Sequence, residues 1–106
     1  MTGVFDHPWL GGLFADAEAA AIWSPQRQLK QMLRFEAAYT RALGIAGKIP
    51  QAQAERVADA ILTFRPDLEQ LRAGTGQDGL PVPDLVAQLR RVMPDDSKAI
   101  HSGATS

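Results

Sequence analysis

Cysteine is absent from the 106 residues, and the charges nearly balance, with 11 Lys and Arg against 12 Asp and Glu. Without cysteine, the chain can form neither a disulfide framework nor a thiolate metal site. The formal net charge of −1 argues against a nucleic-acid-binding protein, since such proteins usually carry a basic excess. The two histidines, His7 and His101, have no second ligand at a metal-binding spacing, and Walker and dinucleotide-binding sequences are missing, so we expect neither metal nor cofactor.

Long hydrophobic runs are absent as well. None approaches the roughly 20 residues that a membrane span requires. The first residues lack the pattern of a signal peptide, because no Lys or Arg precedes Arg27 and acidic residues interrupt the apolar ones. Strand-like alternation and internal repeats are also missing. These absences predict a cytoplasmic, all-α protein that binds neither nucleic acid nor membrane.

Helical periodicity is the main pattern that is present. The strongest helix is predicted to begin at Ser24 and Pro25, since serine is a good N-cap and proline suits the first helical position. It is predicted to end at Gly44. Shorter helices are predicted at residues 16–23, 51–64, 66–74 and 83–93.

Glycine and proline are frequent in residues 73–83, AGTGQDGLPVP, which predicts a loop between two of these helices. Within this stretch, GTGQDG at residues 74–79 superficially resembles a phosphate-binding loop. It follows a helix rather than a strand and lacks the lysine that such loops use, so we interpret it as a connector.

The strongest helix has a broad apolar face, and Glu36 interrupts it. Helical spacing places seven apolar residues on this face: Leu29, Met32, Leu33, Phe35, Tyr39, Ala42 and Leu43. A carboxylate buried among them without a partner would be strongly destabilising. We therefore predict that Glu36 is paired by a salt bridge or hydrogen bond, or lies at a wet seam; a catalytic carboxylate is the alternative.

The terminal sequence HSGATS, residues 101–106, combines three hydroxyl groups with a glycine and a histidine. Gly103 lets the backbone approach a ligand closely and turn its N–H groups toward it. His101 belongs to a residue type that titrates near neutrality. Hydroxyls and free amides together suit a carboxylate, whereas a disordered tail is the alternative interpretation.

The sequence AIHSGATS, residues 99–106, resembles the first signature region of the fumarase/aspartase superfamily, in which a His-x-Gly-small-Thr-Ser loop contacts a substrate carboxylate. Residues 32–50, MLRFEAAYTRALGIAGKIP, and 79–90, GLPVPDLVAQLR, are similar to an N-terminal helix and a loop-helix of 3-carboxy-cis,cis-muconate cycloisomerases, the lactonizing enzymes. The His-Asp-Val motif expected of adenylosuccinate lyases is absent. The resemblance covers roughly residues 24–106.

This resemblance implies an all-helical, homotetrameric parent enzyme of the β-oxoadipate pathway of aromatic degradation. Such an enzyme converts 3-carboxy-cis,cis-muconate to carboxymuconolactone without metal or cofactor. The resemblance further implies that Thr105 and Ser106 bind a carboxylate of this small polycarboxylate substrate, with Ser102 assisting. It gives His101 a catalytic role, in which the imidazole hydrogen-bonds to the carboxylate or polarises it.

The resemblance also sets an expectation for the chain as a whole. The long central helices and the second and third signatures of the superfamily are not in the sequence, so we expect an N-terminal fragment that is inactive alone. We expect one helical domain over residues 1–106, with an arm (1–14), helices (15–94) and a partial substrate-binding loop (95–106). The alternatives are a stand-alone helical interaction module and a fragment of a related lyase acting on another dicarboxylate.

Overall fold

The computed structural model describes Trp9 and residues 24–104. The chain divides into two compact units, Met1–Gln31 and Met32–Ser106. Within the described residues all regular structure is helical and none is strand, which confirms the all-α prediction. No helix in this described part is long and apolar enough to cross a membrane. Trp9 is exposed; the rest of the predicted arm and the predicted helix at 16–23 lie outside the described residues.

The first described helix, α1, spans Pro25–Ile45 and begins as predicted. Ser24 is its N-cap, because the Ser24 hydroxyl accepts the Arg27 backbone N–H at 3.2 Å. Its predicted end at Gly44 is wrong. The helix ends in a Schellman motif instead, with Gly47 at φ +76° as the left-handed residue.

Gly44 has a different function from the predicted one. It is buried inside α1, and a Cβ atom at this position would lie 2.5 Å from the Cβ of Ala54. Ala54 belongs to the second helix, α2, which spans Gln51–Leu62. The missing side chain of Gly44 therefore allows the backbone of α1 to approach α2 closely.

The third helix, α3, spans Leu68–Asp78 and contradicts the predicted loop over the loop's first six residues, which include five of the six residues of the GTGQDG connector. It runs through Gly74 and Gly76 and ends at Gly79, which has φ +80°. Gly74 lies against Asp84, whose Cβ would be 2.5 Å from a Cβ at Gly74. Glycine is thus used here for close packing within a helix, a role that composition alone does not distinguish from a turn.

The fourth helix, α4, spans Val82–Val92, with Pro83 in its first turn. Its buried Gln88 positions the start of α3. The Gln88 Oε1 atom accepts the Asp67 backbone N–H at 2.8 Å, and its Nε2 atom donates to the Asp67 carbonyl at 3.1 Å. Asp67 in turn caps α3 by accepting the Gln70 N–H at 3.1 Å.

The apolar core of the second unit is formed mainly by small and branched aliphatic side chains. The buried apolar residues are Leu33, Ala37, Ala54, Val57, Ala58, Ile61, Leu85, Val86, Leu89, Ala99 and Ile100. The buried stripe of α1 is narrower than predicted, since Phe35 is 54% exposed and Ala42 is also exposed. A 3₁₀ helix, Pro94–Ala99, follows α4 and occupies the first part of the predicted loop 95–106.

Candidate functional site

The terminal segment, residues 94–104, is held by hydrogen bonds from three helices. Thr40 of α1 donates from its hydroxyl to the buried Ala99 carbonyl at 3.1 Å. Arg90 of α4 donates from Nη2 to the Ile100 carbonyl at 2.8 Å. Both bonds satisfy carbonyl groups at the end of the 3₁₀ helix, which would otherwise lack a hydrogen-bond donor. The backbone leading to the HSGATS motif is therefore fixed on two sides.

A third hydrogen bond holds the backbone of the terminal segment two residues beyond Ile100. The hydroxyl of Tyr39, one residue before Thr40 in α1, donates to the Ser102 carbonyl. Gly103 follows at φ +78°, and a Cβ atom there would lie 3.5 Å from the Tyr39 hydroxyl oxygen. The residues after Ile100 are thus placed directly against α1.

The 3₁₀ helix itself is held by α2 through Asp96. The Asp96 carboxylate accepts two hydrogen bonds from Arg56 and one from Gln53, all 2.9 Å long. The Arg56 guanidinium, and after it the Gln53 amide, lower the pKa of Asp96 from its ordinary 3.8 to about 2. Asp96 thus remains ionised at neutral pH and ties the terminal segment to α2.

Glu36 and His101 form a buried hydrogen-bonded pair. The Oε1 atom of Glu36 lies 2.7 Å from the Nδ1 atom of His101, and the two residues are 2% and 8% exposed. This confirms the prediction that Glu36 is paired. The sequence did not indicate which residue supplies the partner, which comes from the terminal segment 65 positions later.

Each member of the pair has one further buried polar atom without a partner. Within the described residues, Glu36 Oε2 and His101 Nε2 make no hydrogen bond although both are shielded from solvent. Such unpaired buried atoms are rare in folded proteins and call for a specific explanation. His101 also has φ +56°, a left-handed conformation that is uncommon outside glycine. Backbone strain of this kind concentrates at functional sites.

In the terminal segment the backbone carbonyl groups are hydrogen-bonded more completely than the backbone N–H groups. The carbonyl oxygens of residues 99, 100 and 102 are bonded, whereas the N–H groups of His101, Ser102 and Gly103 donate no hydrogen bond to any described residue. The φ angle is positive at His101 and Gly103 but not at Ser102 between them. The Ala104 N–H donates to the His101 carbonyl at 3.2 Å, so the three N–H groups before it lie in a tight turn and have no acceptor among the described residues.

Two of the four predicted site residues lie in this arrangement. His101 is buried against Glu36, while Ser102 is exposed and adjacent to it. Thr105 and Ser106 lie outside the described residues, so their predicted carboxylate contacts stay predictions. Among the residues that the structure describes, no group of three His, Cys, Asp or Glu side chains could hold a metal ion.

Sequence reasoning missed the residues that hold the segment. Tyr39 and Thr40 were interpreted as part of an apolar helix face or not at all, and Arg56 and Asp96 were not singled out. The only sequence feature that could have indicated them is the polar character of Thr40 beside Glu36 on a largely apolar helix. The pairing of Arg56 with Asp96 has no local signature, because it joins residues 40 positions apart.

No protein-family model matches this chain. The chain is similar to the uncharacterized protein C8E4.05c of Schizosaccharomyces pombe, with 35% identity over 95 residues, which are 89% of this chain and 21% of that protein. It is also similar to adenylosuccinate lyase of Pyrococcus abyssi, with 27% identity over 93 residues, which are 88% of this chain and 21% of that enzyme. The chain spans about a fifth of the length of these curated relatives.

The similarity to adenylosuccinate lyase bears on the predicted resemblance. Adenylosuccinate lyase belongs to the fumarase/aspartase superfamily, so the relative agrees with the resemblance at the level of the superfamily. Neither of these two relatives carries the name of a muconate cycloisomerase. The support therefore extends to the superfamily and not to the choice of subfamily.

Proposed function

We propose that this chain is the N-terminal, carboxylate-binding part of a cofactor-independent enzyme of the fumarase/aspartase type. The reaction we propose for the whole enzyme is the cycloisomerisation of 3-carboxy-cis,cis-muconate to carboxymuconolactone, in a cytoplasmic homotetramer. In this proposal His101, Ser102, Thr105 and Ser106 contact one substrate carboxylate. The remaining catalytic groups come from outside these residues.

The observation that carries this proposal is the set of free N–H groups at His101, Ser102 and Gly103. In this proposal the substrate carboxylate supplies the acceptor that these three adjacent N–H groups lack among the described residues. The donors are fixed before a ligand arrives, because Thr40, Arg90 and Tyr39 already hold the intervening carbonyls. Fixed donors of this kind suit a polyanionic substrate on which further negative charge develops during the reaction.

A second candidate has its own supporting observation. The similarity to an adenylosuccinate lyase favours a related lyase acting on another dicarboxylate. The two candidates share the carboxylate-binding segment and differ in the substrate that the complete enzyme accepts. A ligand comparison therefore separates them.

The interaction-module alternative also has a feature in its favour. Large apolar side chains are exposed at Ile45, Leu68 and Val92, with exposed fractions of 79%, 66% and 59%. Exposed apolar side chains mark protein–protein contacts when they form one contiguous patch, whereas single ones are ordinary on a folded surface. A module of this kind would leave the free N–H groups of the terminal segment without a ligand.

The test is a titration of the ¹⁵N-labelled chain, followed by amide NMR, with 3-carboxy-cis,cis-muconate and, separately, adenylosuccinate. We expect the amides of His101, Ser102 and Gly103 to shift with the cycloisomerase substrate. The Thr105→Val variant should bind it more weakly, and the matched variant Thr63→Val, at the exposed C-cap of α2, should bind it unchanged. Binding of adenylosuccinate alone would favour the related lyase. A folded chain that responds to neither compound contradicts the proposed function.

A further inference from the structure

We propose that Glu36 is a positioning residue, which holds the imidazole of His101 with Nδ1 protonated and Nε2 directed to a ligand carboxylate. The inference rests on the proposed function for the identity of the ligand. Its first part, the state of the ring, concerns the ligand-free chain and stands on the geometry of Glu36 and His101 alone.

The protonated nitrogen follows from the chemistry of the bond. A carboxylate that carries no proton only accepts hydrogen bonds, so in this proposal the proton between Glu36 Oε1 and His101 Nδ1 lies on the histidine. In a neutral imidazole with Nδ1–H, the other nitrogen carries a lone pair. The hydrogen bond to one ring nitrogen thereby determines whether the other nitrogen donates or accepts a hydrogen bond.

Two buried atoms of the pair lack a hydrogen bond, which leaves each able to bind a further partner once it is uncovered. A buried polar group without a hydrogen bond is destabilising, yet Glu36 Oε2 and His101 Nε2 both lack one in the described residues. For Nε2 to donate to a ligand carboxylate, the ring takes up a second proton from solvent as the ligand binds, because the neutral ring with Nδ1–H has only a lone pair at Nε2. The negative charge of Glu36 then offsets the positive charge of the imidazolium, and both bonds become charge-assisted.

Other charged and titratable groups contact the same segment but are engaged elsewhere. Tyr39 of α1 binds the Ser102 carbonyl, and Arg90 of α4 binds the Ile100 carbonyl. From α2, Arg56 contacts the segment through Asp96. Within the described residues Glu36 is the charged side chain that contacts the ring, which makes it the residue that can determine the state of His101.

The first experiment measures the tautomer. Two-bond ¹H–¹⁵N spectra of the ligand-free chain distinguish protonated from unprotonated ring nitrogens, and His7→Gln identifies the His101 signals. With the ring neutral, we expect Nδ1 protonated and Nε2 unprotonated. Glu36→Gln should keep this pattern because its carbonyl oxygen still accepts, and Glu36→Ala should lose it. A wild-type ring with its proton on Nε2 overturns the inference.

A matched control separates positioning from general destabilisation. Glu55→Gln removes a carboxylate on α2 that pairs with Arg41 at the surface, and should leave the His101 ring signals unchanged. Circular dichroism confirms that each variant is folded. If Glu55→Gln changes the tautomer as Glu36→Ala does, the ring responds to overall stability and Glu36 is not its positioning residue.

The second experiment adds 3-carboxy-cis,cis-muconate as the ligand probe. The amides of residues 101–103 report carboxylate binding, and the His101 Nε2 signal reports the contact proposed here. We expect Nε2 to become protonated on binding, and the Kd to rise about tenfold in Glu36→Gln, which retains the tautomer but not the charge. Amide shifts without a change at Nε2 overturn this inference and leave the proposed function standing. An unchanged spectrum overturns both the proposed function and the ligand contact.

Discussion

Arg56 donates two parallel hydrogen bonds to Asp96, from Nη1 to Oδ2 and from Nη2 to Oδ1, each 2.9 Å long. This two-pronged geometry is the strongest form of an arginine–carboxylate contact. It joins α2 to the 3₁₀ helix that leads to His101. The position of the candidate site therefore depends on an ion pair outside it.

The first prediction concerns the pH dependence of stability. The folded-state pKa of Asp96, about 2, lies below its ordinary value of 3.8. The contribution of the Asp96 carboxylate to the free energy of unfolding is therefore complete above pH 3.8 and is lost as the pH falls through about 2. Because Arg56 is 62% exposed and screened by water, we expect Asp96→Asn to lower the free energy of unfolding at pH 6 by only about 1 kcal/mol. Urea unfolding at pH 6 and pH 2 measures the difference, which should nearly vanish at pH 2.

Asp95→Asn is the matched control, since Asp95 is the exposed neighbour of Asp96. It should leave the free energy of unfolding unchanged within about 0.5 kcal/mol. Equal effects of the two substitutions would show that net charge, rather than the bond to Arg56, determines the acid sensitivity.

The second prediction concerns Thr40. Thr40→Val keeps the shape of the side chain but leaves the buried Ala99 carbonyl without its donor. We expect a loss of about 1–3 kcal/mol in the free energy of unfolding, measured by urea denaturation. Thr63→Val removes an exposed hydroxyl at the C-cap of α2 that donates to carbonyls of the last turn of that helix, and should cost less than about 0.5 kcal/mol. Similar losses in both variants would contradict the role of the Ala99 bond.

The third prediction compares two glycines within helices. Gly44→Ala would place a Cβ atom 2.5 Å from that of Ala54, and we expect it to destabilise the chain by about 1–3 kcal/mol. Gly76→Ala meets no atom within 4 Å, so the higher helix propensity of alanine should stabilise the chain by about 0.5–1 kcal/mol. Thermal unfolding gives the sign of each effect, and stabilisation by Gly44→Ala would show that α1 and α2 are not in close contact.

These glycines also show what local sequence patterns can establish. Ser24 and Pro25 were correctly predicted to begin α1. A cap involves only the first few residues of a helix, so the local sequence is enough to identify it. Gly44 and Gly74 were assigned to a helix end and a loop, although both lie inside helices. Their function is a close approach to another helix, which depends on residues 10 positions away in each case and has no local signature.

The candidate site was predictable to a similar degree. Glu36 stood out because a carboxylate on an apolar face needs a partner, and the motif around His101 stood out by its composition. That these two residues pair with each other is a property of the tertiary fold, since 65 positions separate them. The same holds for the bond between Thr40 and Ala99, which joins residues 59 positions apart.

The fourth prediction concerns the stability effect of Glu36. Glu36→Ala leaves the buried Nδ1 atom of His101 without a partner, and we expect a loss of about 1–3 kcal/mol in the free energy of unfolding. Glu36→Gln retains an acceptor for Nδ1 and should cost less than Glu36→Ala. Glu55→Ala, which removes an exposed partner of Arg41, should cost less than about 1 kcal/mol. Urea denaturation orders the three variants, and a larger loss in Glu55→Ala would contradict the assignment.

The last prediction is that the chain alone binds a carboxylate substrate but does not turn it over. In the proposed function the donors at residues 101–103 stabilise the bound substrate, yet binding the substrate and the transition state equally does not raise the turnover rate. Acceleration requires a positioned proton donor or acceptor, which typically contributes a factor of about 10²–10⁴. The resemblance implies that this group and further donors come from other signatures and other subunits.

The hydrogen bonds that hold the terminal segment fix His101 and Ser102 in the chain alone, so this prediction does not depend on a loose segment. Reaction still requires the reacting atoms to be held about 3–3.5 Å apart, which one wall of a site cannot do. We therefore expect the purified chain, mixed with 3-carboxy-cis,cis-muconate, to show no loss of the diene absorbance above background while its amides report binding. Turnover that disappears in His101→Ala would contradict this prediction and would show that Glu36 and His101 suffice as the proton-transferring pair.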